Sequence, residues 1–252
     1  MFRVTCVRFS ILSAFVALVS SCGGNPPSKP QRPGGTQTTA VSNAAQRATP
    51  VPQNPPPPVY GESAIVVDIA SGRVLYAKNA DLPRAVASTQ KIITALCVLD
   101  DGPVDRIVDI EASDGSCEPT KLGLRAGERY TRRDLLRVLL VKSANDVGRA
   151  LARDVAGSQE SFAAMMNRKA ASLGMRNSHF RNPHGLTEPG QYSTARDMAI
   201  AARAAYRSPL IRSYVSLKGT TFQFNSGRTR HLENTNKVLK ALPYCNGMKT
   251  GT

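Results

Sequence analysis

An α+β domain is what this sequence predicts, and three observations predict it. Two short β-branched runs face each other across a turn near residue 70, a long middle stretch repeats its apolar residues at helical spacing, and strand-forming residues return toward residue 252. Ala64-Ile65-Val66-Val67-Asp68 reads as a strand, Ser71-Gly72 as a turn and Val74-Leu75-Tyr76-Ala77 as the hairpin partner. Ser88 to Leu99 is a mostly apolar helix. Arg132 to Val141 carries leucines at helical spacing, and Asp146 to Val155 and Ser161 to Leu173 continue the pattern, with Gly174 as a stop. Ser193 to Tyr206 is an alanine-rich helix, and strand character returns from Tyr214 to Phe224 and again from Tyr244 onward. In that order the first and last strands are expected to share one antiparallel sheet, packed against a mostly helical subdomain.

Two segments precede this domain. Arg3 and Arg8 lead into an apolar run, Phe9 to Val19, too short to span a bilayer as a helix, which is the pattern of a secretion signal. The run ends in Val19-Ser20-Ser21-Cys22, which resembles the lipobox of bacterial lipoproteins, so residues 1–22 are expected to be a signal peptide and Cys22 the lipidated anchor to a membrane. Residues 23–58 are Pro, Gln, Thr, Ser, Ala and Asn with almost no large apolar side chains, the composition of a linker. As a flexible coil it averages on the order of 30 to 35 Å, and drawn out it reaches about 110 Å, a tether that suits a domain at 59–252 sampling a wall layer above a membrane. The expected location is exported, at the periplasmic or cell-envelope face.

The chain carries 33 Lys and Arg against 18 Asp and Glu, a net charge of +15, which draws it to polyanions of some kind. Its cations are spread along the chain without interleaved aromatics, so no nucleic-acid partner is expected. His179, His184 and His231 show no ligand spacing with one another or with cysteine, and neither metal nor cofactor is expected. Apart from Cys6 and Cys22, Cys97, Cys117 and Cys245 allow at most one disulfide.

Three short motifs carry chemistry. Ser88-Thr89-Gln90-Lys91 sets a hydroxyl and an amine one helical turn apart, so a neutral Lys91 can take the proton of Ser88 as it attacks a carbonyl, while the helix start offers the Ser88 N–H to an oxyanion. That spacing alone arises by chance about once in a chain of this length. Ser143-Ala144-Asn145 lies between two helices, where the hydroxyl can relay a proton to a leaving amine and the carboxamide can hold a substrate amide and the lysine. Lys249-Thr250-Gly251 supplies a cation and a hydroxyl for a carboxylate, with a glycine that lets a substrate backbone come close.

In this order the three resemble the S-x-x-K, S-x-N and K-T-G set of penicillin-binding proteins and serine β-lactamases. Lys142 to Asp146, Met166-Asn167, Leu173-Gly174-Met175, Asn182 to Leu186, Ser193 to Asp197, Asn234-Thr235-Asn236 and Gly247-Met248 extend the resemblance to the low-molecular-mass D-alanyl-D-alanine carboxypeptidases, from about Tyr60 to Thr252. The resemblance implies a β-lactamase/transpeptidase-like fold, Ser88 as the acylated residue, Lys91 as base, Ser143 and Asn145 in the cleft, and Lys249, Thr250 and Gly251 as a carboxylate-binding strand. It also implies an oxyanion hole from the N–H groups of Ser88 and Thr252, peptidoglycan stem peptides as substrate and β-lactams as covalent inhibitors. Its pattern continues past position 252 with two more strands and a helix, which would make this chain a fragment. His184, in a Pro-His-Gly setting, is expected to be structural, because S-x-x-K chemistry needs no histidine. Burial and the charge of Lys249 are expected to depress the pKa of Lys91. A DD-endopeptidase uses the same machinery. A β-lactamase would add a glutamate in an E-x-x-x-N loop, and between Leu173 and Gln191 only Glu188 occurs, with no asparagine four residues on. A wall-binding lipoprotein with a degenerate site is the non-enzymatic alternative.

Overall fold

The computed structural model describes residues 58–251, so the expected signal segment, Cys22, the linker up to residue 57 and Thr252 lie outside the described residues. The hairpin forms where the sequence places it. β1 (Ala64–Val67) pairs antiparallel with β2 (Val74–Lys78), and the turn is closed by Gly72 N–H donating to Asp68 O at 2.8 Å and by Ser71 N–H donating to the Asp68 carboxylate at 2.7 Å.

The helical subdomain begins with a 3-10 turn, Ala87–Gln90, that runs directly into α1 (Lys91–Asp101), so the expected helix at Ser88 starts one turn tighter. A short ribbon of β3 (Ile107–Asp109) and β4 (Arg129–Thr131), which the sequence reading did not anticipate, leads into α2 (Arg132–Val141). Three residues are too few for alternation to register as a strand signal. Thr131 caps α2 by accepting from Asp134 N–H at 3.0 Å, and α3 (Asn145–Ala156) and α4 (Gln159–Leu173) follow, the last ending at Gly174. These helices pack α1 on all sides: Ile93, Ala95, Val98, Leu135, Leu139, Leu151 and Phe162 are fully buried in one continuous core. The first eight residues of α1, Lys91 to Val98, are all buried, including the polar Lys91 and Thr94, because the helix runs through the middle of the subdomain.

α5 (Ala195–Tyr206) is capped by Thr194 and is followed by α6 (Pro209–Val215), which takes in Tyr214 and Val215, expected to begin a strand. Tyr214 belongs to α6 because Ser208-Pro209 starts a helix: the Ser208 hydroxyl accepts from Ile211 N–H at 3.3 Å and the proline sits where no N–H is needed. The strand is shorter, β5 (Gly219–Gln223), and its partner β6 (Thr229–Glu233) was not foreseen, its apolar signal being the single buried Leu232. α7 (Lys237–Ala241) completes the elements.

Residues from Tyr244 to Gly251 form no strand, and among the described residues each of the three sheets has two strands, so the expected pairing of first and last strands in one sheet is not present. A strand needs a ladder of backbone partners. This segment is held instead by side chains, such as Asn236 Nδ2 donating to Met248 O at 3.2 Å. Cys97, Cys117 and Cys245 are all free thiols.

Candidate active site

The turn at residues 87–90 brings the first motif together. Ala87 adopts φ +47°, and the chain then winds so that Ser88 and Lys91 fall on one side, Nζ to Oγ at 2.8 Å. Lys91 is fully buried. Its ammonium also donates to Asn145 Oδ1 at 2.8 Å and to the carbonyl oxygen of His184. Both of these are pure acceptors, whereas a hydroxyl can donate or accept. The proton that Lys91 gives up is therefore the one directed at Ser88, and the lone pair left behind faces the Ser88 hydroxyl. Burial, and secondly the nearby charge of Lys249, lower the pKa of Lys91 from 10.5 to about 7 against a small opposing influence from Cys117, so a neutral amine is available at neutral pH.

The second motif is fixed from below. Ser143 sits at φ +66° between α2 and α3, with its Oγ buried and without a hydrogen-bond partner among the described residues. Asn145 N–H donates to Thr120 O at 2.7 Å. The next residue explains why this loop is rigid: the buried Asp146 carboxylate accepts the N–H groups of Leu122, Gly123 and Leu124 at 2.9, 2.7 and 3.1 Å, clamping the 120–124 segment to the start of α3. The sequence reading quoted Asp146 without a role.

The third motif closes the other wall. Lys249 is buried, which lowers its pKa to about 8, and its ammonium donates to Thr250 O at 2.6 Å. The Thr250 hydroxyl meets that of Thr235 at 2.8 Å. Gly251 lies against the nucleophile turn: a Cβ there would stand 3.1 Å from Ser88 N, Thr89 N and Val86 O. Gly185, at φ +91°, comes closer still to the same turn, and a Cβ would fall 2.1 Å from Ala87 O. Two glycines thus allow two backbone segments to pack close to the Ser88 main chain.

The loop that carries Gly185 is itself pinned. Thr94 Oγ1 and Gln90 Nε2 on the nucleophile helix donate to Pro183 O and Asn182 O, each at 2.6 Å, Asn167 exchanges hydrogen bonds with the Phe180 backbone at 2.7 and 2.8 Å, and Asp197 accepts from Asn177 N–H and Ser178 Oγ at 2.7 Å. What the loop delivers to Lys91 is the main-chain oxygen of His184, while the ring stays neutral, burial and neighbouring cations holding its pKa down at about 3.

Ser88, Ser143, Thr235, Lys237, Thr250 and Gly251 line a cleft of about 400 Å3. A larger hollow of about 800 Å3, walled by Cys117, Arg149, Asn167, Arg181 and Glu188, contains neither Ser88 nor a motif hydroxyl, so the chemistry belongs to the smaller one. Among the described residues no group of three His, Cys, Asp or Glu side chains gathers for a metal.

The family description of D-alanyl-D-alanine carboxypeptidases, peptidase S11, matches residues 50–252. This chain belongs to that family. It is 35% identical over 195 residues to the D-alanyl-D-alanine carboxypeptidase DacF of Bacillus subtilis, covering 75% of this chain and 50% of the relative, and 37% identical over 211 residues to DacC of Escherichia coli, covering 78% and 51%. The chain thus spans about half the length of these curated relatives. The crystal structure of D-alanyl-D-alanine carboxypeptidase from Mycobacterium tuberculosis H37Rv superposes with a TM-score of 0.76 at 32% identity, over 81% of this chain and 78% of that one. The family fold is the penicillin-binding, α+β architecture that the motifs imply.

Proposed function

We propose that this protein is a serine D-alanyl-D-alanine carboxypeptidase that removes the terminal D-alanine of peptidoglycan stem peptides through an acyl-enzyme at Ser88. The observation that carries the reading is the buried Lys91 amine, 2.8 Å from Ser88 Oγ and depressed to about pKa 7. Neutral Lys91 takes the hydroxyl proton as Ser88 Oγ bonds to the penultimate carbonyl carbon, and the Ser88 N–H, with that of Thr252, receives the oxyanion. The C–N bond then breaks, D-alanine departs with a proton passed through Ser143, and a water molecule hydrolyses the ester and frees Ser88. The Ser143 side chain lines the same cleft as Ser88, which supports the relay role. Asn145 orients Lys91, and a penicillin amide acylates the same serine.

The signal-like run and the lipobox support export, with Cys22 as a lipid anchor and the proline-rich segment as a tether. A Cys22→Ala protein that still partitions with membranes sinks the anchor. For the reaction, mass spectrometry after incubation with benzylpenicillin is expected to find one adduct on the peptide containing Ser88 and none in Ser88→Ala. Equal labelling of both proteins refutes the assignment.

A further inference from the structure

The hollow of about 800 Å3 shares two walls with the catalytic cleft. Cys117 and Glu118 line the hollow while Thr120 lines the cleft, and His184, whose main-chain oxygen holds Lys91, lines the hollow as well. α3 lies against the loop of His184: a Cβ at Gly148 would stand 3.7 Å from His184 Cβ and from Pro183 O. The next residue, Arg149, lines the hollow and makes no salt bridge among the described residues, and its Nε is buried without a hydrogen-bond partner. Burial, then Lys91, then Arg149 lower the His184 pKa, so the guanidinium stands close enough for its charge to bear on that ring.

An unused acceptor stands beside this unused donor. Gln159 Nε2 donates to Arg149 O at 3.2 Å, and its Oε1, also in the lining, is buried without a partner. Two acids of the same lining are already engaged, Glu118 with Lys121 at 2.5 Å and Glu188 with Arg181 at 3.2 Å, and the third, Glu160, is exposed. A buried guanidinium N–H is satisfied best by a carboxylate and a buried carboxamide oxygen by an N–H. A peptide with an acidic side chain offers both, and a hollow of this volume is sized for a ligand well beyond a single small anion.

We propose that this hollow is a second binding site, in which Arg149 and Gln159 hold a carboxylate-bearing peptide while the catalytic cleft stays open to its own substrate. Nothing in it depends on the acyl-enzyme, so either reading fails alone. In the full chain carrying isotopically labelled arginine, the Arg149 Nε resonance is the one missing from Arg149→Lys. N-acetyl-alanyl-glutamate amide is expected to shift that resonance, and its glutamine counterpart to bind about tenfold more weakly. Arg149→Met should weaken the acidic peptide about tenfold and leave the glutamine one unchanged, the effect of losing hydrogen bonds to a charged group. The acidic peptide at saturation should leave benzylpenicillin labelling of Ser88 in place. An unmoved resonance, equal binding of acid and amide, full affinity in Arg149→Met, acetate or inorganic phosphate binding as tightly as the peptide, or a peptide that blocks labelling overturns the proposal. If Arg149→Met does not fold, the resonance and the comparison of acid with amide in the unmutated chain decide the matter. Absence of labelling without peptide counts against the acyl-enzyme alone.

Discussion

Replacing Lys249 by glutamine removes a buried positive charge that disfavours protonation of Lys91 without touching any of the three acceptors around its Nζ. Burial is the larger cause of the depressed Lys91 pKa, so most of the drop from 10.5 remains in the variant. As the second cause after burial, a like charge of this kind contributes on the order of 1 kcal/mol, which moves the Lys91 pKa by about one pH unit. In the parent protein half of Lys91 is neutral near pH 7, and in Lys249→Gln about one molecule in eleven is, so acylation at pH 7 should slow roughly fivefold from this effect alone. The sign is definite: the neutral form is the base, so the rate rises with pH, with its inflection near 7 in the parent and at higher pH in the variant. Stopped-flow acylation by a reporter penicillin between pH 5.5 and 9.5 reads the position of the inflection, which a lost substrate contact does not mimic because it lowers the plateau instead. An unchanged inflection, or one that moves down, refutes the account of how Lys91 is kept neutral.

Ser143→Ala should slow acylation by about a hundredfold or more, as expected for a lost proton relay, while moving the thermal midpoint little because the hydroxyl has no partner to lose; calorimetry and stopped flow on one preparation check both. Gly185→Ala should destabilise the protein by about 2 kcal/mol or more and abolish labelling of Ser88, since its Cβ has no room beside Ala87 O and the backbone is left-handed there, and urea unfolding measures it. Asp146→Asn should cost about 2 to 4 kcal/mol in the same assay, because an amide NH2 would face N–H groups that the carboxylate now accepts. Wild-type stability in that variant would mean that the 120–124 segment is held by something else.

The sequence by itself picked out the candidate chemistry. Ser88 and Lys91 are three residues apart, and any helical winding at that point brings them together, but it took Ser143-Ala144-Asn145 and Lys249-Thr250-Gly251 following in order to make them a candidate nucleophile and base. The hairpin and the long helices were legible because their signals are local and repeated along the chain. Short elements escaped: β3, β4 and β6 owe their pairing to distant partners, and α6 was hidden in a β-branched stretch until Ser208-Pro209 is seen as its start. Only the tertiary structure decided which groups surround Lys91. A main-chain oxygen at His184, a carboxylate at Asp146 that clamps a loop it does not adjoin, and two glycines that let backbone lie against Ser88 come from segments tens of residues away. Backbone atoms carry no side-chain identity, and burial has no one-dimensional trace, so the field that makes the lysine a base exists only once the chain has closed around it.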